Sequence, residues 1–208
     1  MIYFLWENLL TFLAGGLSVY FPEDMNFQYF FFDTYPGYFL QVLPIALTAG
    51  ILYALCRGRR RSRGSAGGAV WPALFVCYLT GLICLTLLIK IIGDIYYYLF
   101  YHMPSGSRYF QFVFEYDLIP DFFLHFGSEN LGNILMYLPF GVLYPQFSRR
   151  AGWGRTVAAG LTVSLAIELV QPLFGRSFDI NDIILNGIGV ILSAAVYFAL
   201  NAALRRRR

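Results

Sequence analysis

The sequence contains few charged residues. Only 13% of its 208 residues are charged, whereas 58% are hydrophobic. Soluble domains usually contain about 25% charged residues, so this chain has too little polar surface for a water-soluble fold. Stretches long enough to cross a bilayer account for the deficit. No remaining region is long enough for a separate soluble domain, and we therefore expect one membrane-embedded bundle.

Side chains suited to metal, redox or nucleophilic chemistry are also scarce. The chain has three cysteines and two histidines, and no two cysteines have the Cys-x-x-Cys spacing. Cys77 and Cys84 lie in one apolar run, where small apolar filler is the favoured interpretation. The sequence contains no serine-histidine-aspartate order, nucleophile elbow or glycine-rich phosphate loop. We predict no cofactor and assign no catalytic residues.

One histidine and two carboxylates in residues 121–129 are of the types that bind metal ions. If residues 121–129 were helical, Asp121, His125 and Glu129 would lie on one face and could hold a divalent ion. Gly127 weakens such a helix, and no second histidine lies nearby. We therefore predict no metal site.

Six apolar runs predict the fold class, an all-α, polytopic transmembrane bundle of five or six helices. The runs are residues 2–21, 38–56, 70–92, 131–147, 156–174 and 182–204. Backbone amides in hydrocarbon must bond internally, so each run that spans the membrane should be helical. The first run contains Glu7 and would also suit an interfacial helix. The fourth is short, and Pro139 and Gly141 predict a kink or a break in it.

Arginine placement predicts the orientation. Twelve of the fifteen basic residues and none of the twelve acidic residues lie in residues 57–63, 149–155 and 205–208. The positive-inside rule places these segments and the C-terminus in the cytoplasm of a multi-pass plasma-membrane protein. Because the arginines adjoin membrane spans, contact with anionic lipid is favoured over nucleic acid, and we expect membrane lipids as partners.

Aromatic residues concentrate on the predicted outer side. Residues 27–39 and 96–126 hold 21 of the 40 aromatic side chains. Tyr and Phe at this density, mixed with Asp and Pro, are typical of segments in the membrane interface. A simple aromatic belt explains the pattern, and a platform for an amphiphilic ligand is the sharper interpretation.

Polar residues inside the last three runs predict a site. Glu168 and Gln171 are spaced i,i+3, and Asp182 and Asn186 are spaced i,i+4, so each pair shares a helix face. A short loop joins the two helices into a hairpin. At about 1.5 Å per residue, Glu168 lies roughly 9 Å and Asn186 roughly 6 Å below the loop. The fourth run begins at the same side of the membrane as this loop, so Asn133 should lie near the same level. Interhelical hydrogen bonding is the alternative role for the amides.

The hairpin loop adds two charged residues. Arg176 could bridge Glu168, Asp179 or Asp182, or present its planar fork to a phosphate or carboxylate. Asp179 is well placed as the N-cap of the last helix, with Asp182 in its first turn.

The pattern of these residues resembles the VanZ family, named for a bacterial membrane protein linked to teicoplanin resistance. The matching blocks are Asn-Ile-Leu-Met-Tyr-Leu-Pro-Phe-Gly at 133–141, Glu168-x-x-Gln171, and Arg176-Ser-Phe-Asp179-Ile-x-Asp182-Ile-Ile-x-Asn186-x-x-Gly189. Upstream, Asp117-Leu-Ile-Pro-Asp-Phe is similar to the family's Asn-Leu-Ile-Pro-Phe element, with Asp117 in place of Asn and an additional Asp121.

The resemblance implies a domain division and a single site. Residues 1–115 form an N-terminal transmembrane region, residues 116–204 a VanZ-like domain and residues 205–208 a basic tail. The site residues are Asn133, Glu168, Gln171, Arg176, Asp179, Asp182 and Asn186. A lipid-linked cell-wall precursor or a lipoglycopeptide would fit as ligand. The alternatives are an enzyme that modifies a lipid headgroup or wall precursor, and a structural partner of other envelope proteins.

Overall fold

The computed structural model describes residues 27–60, 67–104, 112–124, 126–148 and 150–206. The first apolar run, residues 2–21, and residues 61–63 of the first arginine segment lie outside the described residues. We name the helices α1 (Phe27–Asp33), α2 (Tyr35–Arg60), α3 (Gly67–Ile83), α4 (Ile89–Tyr101), α5 (Ser128–Phe147), α6 (Trp153–Val170) and α7 (Ile180–Arg206).

Shorter elements join these helices. A π-helical turn, Cys84–Leu88, makes α3 and α4 continuous, and a 3-10 turn, Gln171–Phe174, extends α6. The strands β1 (Tyr116–Asp117) and β2 (Phe178–Asp179) form a two-residue parallel pair. The described part of the chain is thus an all-α bundle with very little sheet, which confirms the predicted fold class.

In the described part of the chain, four continuous helical stretches are long and apolar enough to cross a membrane. They are Tyr35–Arg57, Val70–Tyr101, Trp153–Phe174 and Ile180–Arg206. Each contains one of the predicted runs. The fourth predicted run forms α5, which has 20 residues but is not among these four. Polar residues in the first turns of α5 lower its hydropathy.

Of the kink or break predicted at Pro139, the break is absent. Helix α5 is continuous through Pro139 and Pro145. Proline has no backbone N–H, so Pro139 leaves the carbonyl of Leu135 without its helical donor. The Tyr78 hydroxyl of α3 donates to the neighbouring Met136 carbonyl at 2.9 Å. Packing against α3 therefore supports the helix where proline weakens it.

The core of the C-terminal half lies where α3, α5, α6 and α7 meet. Its buried residues include Phe75, Tyr137, Phe140, Ile167 and Val190. A second cluster between α2 and the α3–α4 helix is built from Val42, Ala46, Cys84 and Ile92. The two cysteines at 77 and 84 are free and lie among apolar neighbours.

Glycines allow α5, α6 and α7 to approach closely. A Cβ atom at Gly189 would overlap the carbonyl oxygen of Ile134, and one at Gly141 would overlap Ser193 and Ala194. Small residues at such crossings bring helix backbones together in membranes, where packing contributes much of the association energy. Helices α5 and α7 therefore run side by side at a distance that larger side chains would prevent.

Because α5 and α7 lie so close together, a single methyl group added between them should lower the stability of the protein. We expect Gly189→Ala to destabilise the protein by about 1–3 kcal/mol, because the added carbon meets backbone rather than a movable side chain. Gly132→Ala is the matched control, since Gly132 also lies in a helix and has open space around it. Helix propensity alone would make both changes stabilising by up to about 1 kcal/mol. Unfolding by SDS titration in mixed micelles measures the difference. Equal stabilities of the two variants would contradict the packing.

Candidate functional site

The hairpin of α6 and α7 carries most of the predicted site. Gly175 adopts a left-handed conformation with φ 77° at the end of the 3-10 turn, and this reverses the chain direction. The Arg176 amide donates to the Gln171 carbonyl at 3.3 Å and closes the turn. Gln171 itself is buried. The turn therefore sets α7 antiparallel to α6, at what we call the hairpin end of the bundle.

Buried polar side chains of the hairpin lie in two layers. In the layer nearer the turn, a carboxylate oxygen of Glu168 accepts from the Asp179 amide at 3.4 Å. One helical turn deeper, the Asn186 side chain donates to the Ser164 hydroxyl at 2.9 Å. Glu168 is only 1% exposed and Asn186 4% exposed. Antiparallel helices pair residues equidistant from their connecting turn, which explains why Asn186 lies level with Ser164.

Helix α5 contributes Asn133 to the layer nearer the turn. The Asn133 side-chain amide donates to a carboxylate oxygen of Asp182 at 2.5 Å. This bond joins α5 to the start of α7, and it gives a half-buried carboxylate a direct partner. The structure thus brings Asn133, Glu168, Asp179 and Asp182 together, which we call the carboxylate cluster.

Arg176 lies at the exposed edge of the carboxylate cluster. Its side chain is exposed, and it is close enough for its positive charge to act on both Glu168 and Asp182. An exposed guanidinium beside buried carboxylates has donors left for a ligand. Arg176 is therefore the residue of the predicted set that is best placed to meet an anionic group.

Asp179 has the predicted capping role. One of its carboxylate oxygens accepts from the Asn181 amide at 2.7 Å, immediately before the first turns of α7. Such a bond satisfies a backbone donor that the helix leaves unpaired. Asp182 lies in the first turn, where the helix dipole favours a negative charge.

Two buried polar residues of α5 and α6 that lie beside the predicted site were not identified from the sequence. Ser164 is 0% and Tyr137 1% exposed. The Tyr137 hydroxyl lies beside Ser164 and faces Glu168 and Asp182, but it does not reach the geometry of a hydrogen bond. Helical spacing could have indicated both, because Ser164 precedes Glu168 by four residues and Tyr137 follows Asn133 by four. Within the described residues, the Tyr137 hydroxyl and the Asn186 carbonyl oxygen have no hydrogen-bond partner.

A non-helical segment, residues 112–124, runs along the hairpin turn, and we call it the lip. Strand β1 of the lip pairs with β2, with Tyr116 opposite Phe178 and Asp117 opposite Asp179. The Phe178 amide donates to the Glu115 carbonyl at 3.0 Å, and the Val113 amide donates to the Pro172 carbonyl at 3.1 Å. The lip is therefore a backbone-paired border of the carboxylate cluster.

The apolar side chains of the lip point away from the protein. Phe114 is 77%, Ile119 72% and Phe123 66% exposed. Two of its three acidic groups bond within the protein, because Asp117 accepts from the Ile119 amide and Asp121 accepts from Asn181, whereas Glu115 is exposed. A loop in water would have the opposite arrangement. The lip thus presents an apolar surface next to a polar cluster.

A metal site at Asp121, His125 and Glu129 would require a helix that begins at Asp121, and the structure has no helix there. Residues 121–124 form a turn, in which the Leu124 amide donates to the Asp121 carbonyl, and α5 begins only at Ser128. His125 lies outside the described residues. Among the residues that are described, no three His, Cys, Asp or Glu side chains are grouped to hold a metal ion.

An apolar groove of about 530 Å³ lies on the side of the bundle, between α5 and α7. It is lined by Leu138, Pro139, Val142, Leu143, Leu192, Ser193 and Val196. None of the predicted site residues lines it, and its surface lacks groups for recognising a polar ligand. The carboxylate cluster is by contrast closely packed.

The bond between Asn133 and Asp182 predicts a measurable coupling. We expect Asn133→Ala to destabilise the protein by about 1 kcal/mol, because the Asp182 carboxylate loses a donor near the apolar region. A double-mutant cycle with Asp182→Ala, measured by SDS unfolding, should give a coupling energy of similar size. Asn201→Ala, at the other end of α7, is the control and should be nearly neutral. Additive effects of the two cluster variants would contradict the contact.

Comparison with known proteins yields one curated relative. The chain is 28% identical to Protein VanZ of Enterococcus faecium over 81 residues, which are 38% of this chain and 50% of the relative. The chain thus spans about half the length of the curated relative it matches. No solved structure matches.

A family model covers a longer stretch. The VanZ/LLP1 model matches residues 75–201, which begin in α3 and include α4, the lip, α5, α6 and most of α7. The match includes every residue of the carboxylate cluster together with Gln171, Arg176 and Asn186. With its long apolar helices, this chain is a membrane protein that belongs to the VanZ/LLP1 family.

Proposed function

We propose that this protein binds a lipid-linked or lipophilic ligand of the bacterial cell envelope at the carboxylate cluster. The observation that supports this best is the combination of three features at one end of the bundle. They are one buried and two half-buried carboxyl groups, an exposed arginine beside them, and an apolar lip along the same edge. An amphiphile has the matching combination of a charged or polar head and an apolar arm.

The cost of burying Glu168 supports a function for the cluster. Ionisable side chains within membrane-spanning helices are expensive, and they usually mark a functional site. Glu168 is 1% exposed, and among the described residues it has a single weak hydrogen bond, from the Asp179 amide at 3.4 Å. A residue kept only for stability would be better satisfied, because a buried group with poor partners destabilises the fold.

Arg176 would bind the head of the ligand. A guanidinium makes two parallel hydrogen bonds to a phosphate or carboxylate, with a geometry that lysine cannot reproduce. The nearby carboxyl groups of Glu168 and Asp182 would then orient the arginine and accept hydrogen bonds from hydroxyl or amide groups of the ligand. The head group is therefore expected to combine an anion with neutral donors.

The lip would contact the apolar arm. Its exposed Phe and Ile side chains adjoin the cluster through the β1–β2 pairing. Aromatic rings bind well at the boundary between polar and apolar environments. With the arginine-bearing ends in the cytoplasm, the hairpin end would lie at the outer leaflet, where lipid-linked wall precursors and lipoglycopeptides are found.

A lipid-modifying enzyme is the second candidate. Glu168 or Asp182 would act as general base, with Arg176 stabilising the developing negative charge. The observation in its favour is the proximity of these three residues at the hairpin end. The described residues near them include no nucleophile activated by a base, so that a bound water would have to attack.

If the ligand binds at the carboxylate cluster, its affinity should depend strongly on Glu168 and Arg176. We expect Glu168→Gln and Arg176→Ala each to weaken binding of a polyprenyl-linked wall precursor at least about tenfold. The first replaces the carboxylate that orients the arginine, and the second removes the cation that meets the anionic head group. Asp33→Asn neutralises a carboxyl group at an exposed position outside the lip and the cluster, and Arg155→Ala removes an exposed arginine at the other end of α6. Microscale thermophoresis in nanodiscs measures the affinities. Unchanged affinity in both site variants would remove the proposal.

The same incubations separate binding from catalysis. Mass spectrometry of the recovered precursor should find its mass unchanged if the protein only binds. A change in mass that requires Glu168 would favour the enzyme instead.

A link to teicoplanin resistance follows from the proposed ligand. Expression in a glycopeptide-susceptible bacterium should raise the inhibitory concentration of teicoplanin, and Arg176→Ala should abolish the increase at equal protein level. Sensitivity to an antibiotic with a cytoplasmic target is the control. If the wild-type protein and an empty vector give the same susceptibility, the link to this antibiotic is wrong, whereas ligand binding is tested separately.

A further inference from the structure

In the described ranges, two helix side chains bond the lip to the bundle. Asn130 of α5 donates once, to the Phe122 carbonyl at 3.3 Å, and Asn181 of α7 makes the larger share of these bonds. The Asn181 carbonyl oxygen accepts from the amides of Asp121 at 3.0 Å and Phe122 at 3.2 Å. Its amide nitrogen donates to the Asp121 carboxylate at 3.0 Å. A single residue of α7 therefore makes three hydrogen bonds to a segment about 60 residues earlier in the chain.

Asn181 is itself firmly placed beside the site. It is 7% exposed, and its backbone amide donates to the Asp179 carboxylate at 2.7 Å. The next residue is Asp182, which bonds Asn133. The position of the lip is thus tied to the same turn of α7 that carries the carboxylate cluster.

Side-chain packing contributes little to holding the lip. Most of its apolar side chains are exposed, and the contact between Tyr116 and the buried Phe178 is one exception, with ring centroids 6.0 Å apart. Segments held by few apolar contacts and by exposed backbone hydrogen bonds open locally at low free energy. The hydrogen bonds of Asn181 are therefore a large part of what keeps the lip closed.

We propose that Asn181 is a positioning residue that latches the lip over the carboxylate cluster and so controls access to it. The lip runs along the hairpin turn, where it bonds Pro172, Phe178 and Asn181 and borders the buried Glu168 and Gln171. Release of the latch lets the lip move outward and exposes the buried side chains. The inference rests on the proposed function only in taking this cluster as the place where the ligand binds.

The rate at which a thiol at position 171 is modified tests, without any ligand, whether Asn181 holds the lip closed. Gln171→Cys places a thiol at a buried site under the Val113–Pro172 contact, in a protein whose three native cysteines are replaced by alanine. The protein is held in nanodiscs and treated with a water-soluble methanethiosulfonate. We expect Asn181→Ala to raise the rate of modification at least about tenfold and Asp121→Ala to raise it at least about threefold. Loss of one hydrogen bond shifts a local opening equilibrium by up to about tenfold, and Asn181→Ala removes three bonds whereas Asp121→Ala removes one. Asn201→Ala is the matched control and leaves the rate unchanged.

A double variant that exchanges the side chains of Asn181 and Asp121 distinguishes a specific contact between them from a general loosening of the protein. Asn181→Asp combined with Asp121→Asn restores an amide–carboxylate pair with its direction reversed, and a carboxylate at 181 still accepts from both lip amides. We expect the exchanged protein to return the modification rate to within about threefold of the parent, since the number of hydrogen bonds is kept.

Two results would overturn the proposal. One is a rate within about twofold of the parent in both alanine variants, which would mean that other contacts keep the lip closed. The other is an exchanged protein that stays as reactive as Asn181→Ala. If Asn181→Ala does not fold, Asp121→Ala alone decides, because its side chain lies at the surface and only the lip depends on it. Failure of precursor binding in the earlier assay changes none of these outcomes.

Discussion

The burial of Glu168 is the constraint on which the rest of the hairpin end depends. A carboxyl group with 1% exposure inside an apolar bundle must find polar neighbours or destabilise the fold. The neighbours come from three helices and one turn, namely the Asp179 amide, the Asp182–Asn133 pair and the Ser164–Asn186 pair. The tight turn at Gly175 is what brings the second helix to the level of the first.

Close helix packing and the polar cluster are parts of one arrangement. Asparagine has a short side chain, so Asn133 reaches Asp182 only if α5 lies very near α7. Gly141 and Gly189 allow that approach because they place no carbon between the helices. The glycines lie deeper in the bundle than the cluster, yet they set the distance across which the cluster is bonded. A change in packing there would therefore be felt at the site.

The lip gives the cluster an unusual border. Asp117 and Asp121 bond to its own backbone and to α7, whereas most of its aromatic side chains are exposed. Exposed aromatic side chains at this density are typical of segments in a membrane interface. The match to the VanZ/LLP1 family model extends over this border as well as over the hairpin.

Hydropathy and helical spacing are local properties, so the sequence by itself determined the fold class, the helices that contain the apolar runs after the first, and the shared faces of Glu168 with Gln171 and of Asp182 with Asn186. It did not predict the helix Phe27–Asp33 or the continuation of α4 to Tyr101. The same spacing would also have indicated Ser164 and Tyr137. Only the tertiary structure decided that Pro139 lies in an unbroken helix, that Asn186 pairs one layer deeper than Glu168, and that Asn181 binds Asp121. Those features depend on contacts between residues far apart in the chain, and neither periodicity nor composition carries information about which distant groups will meet.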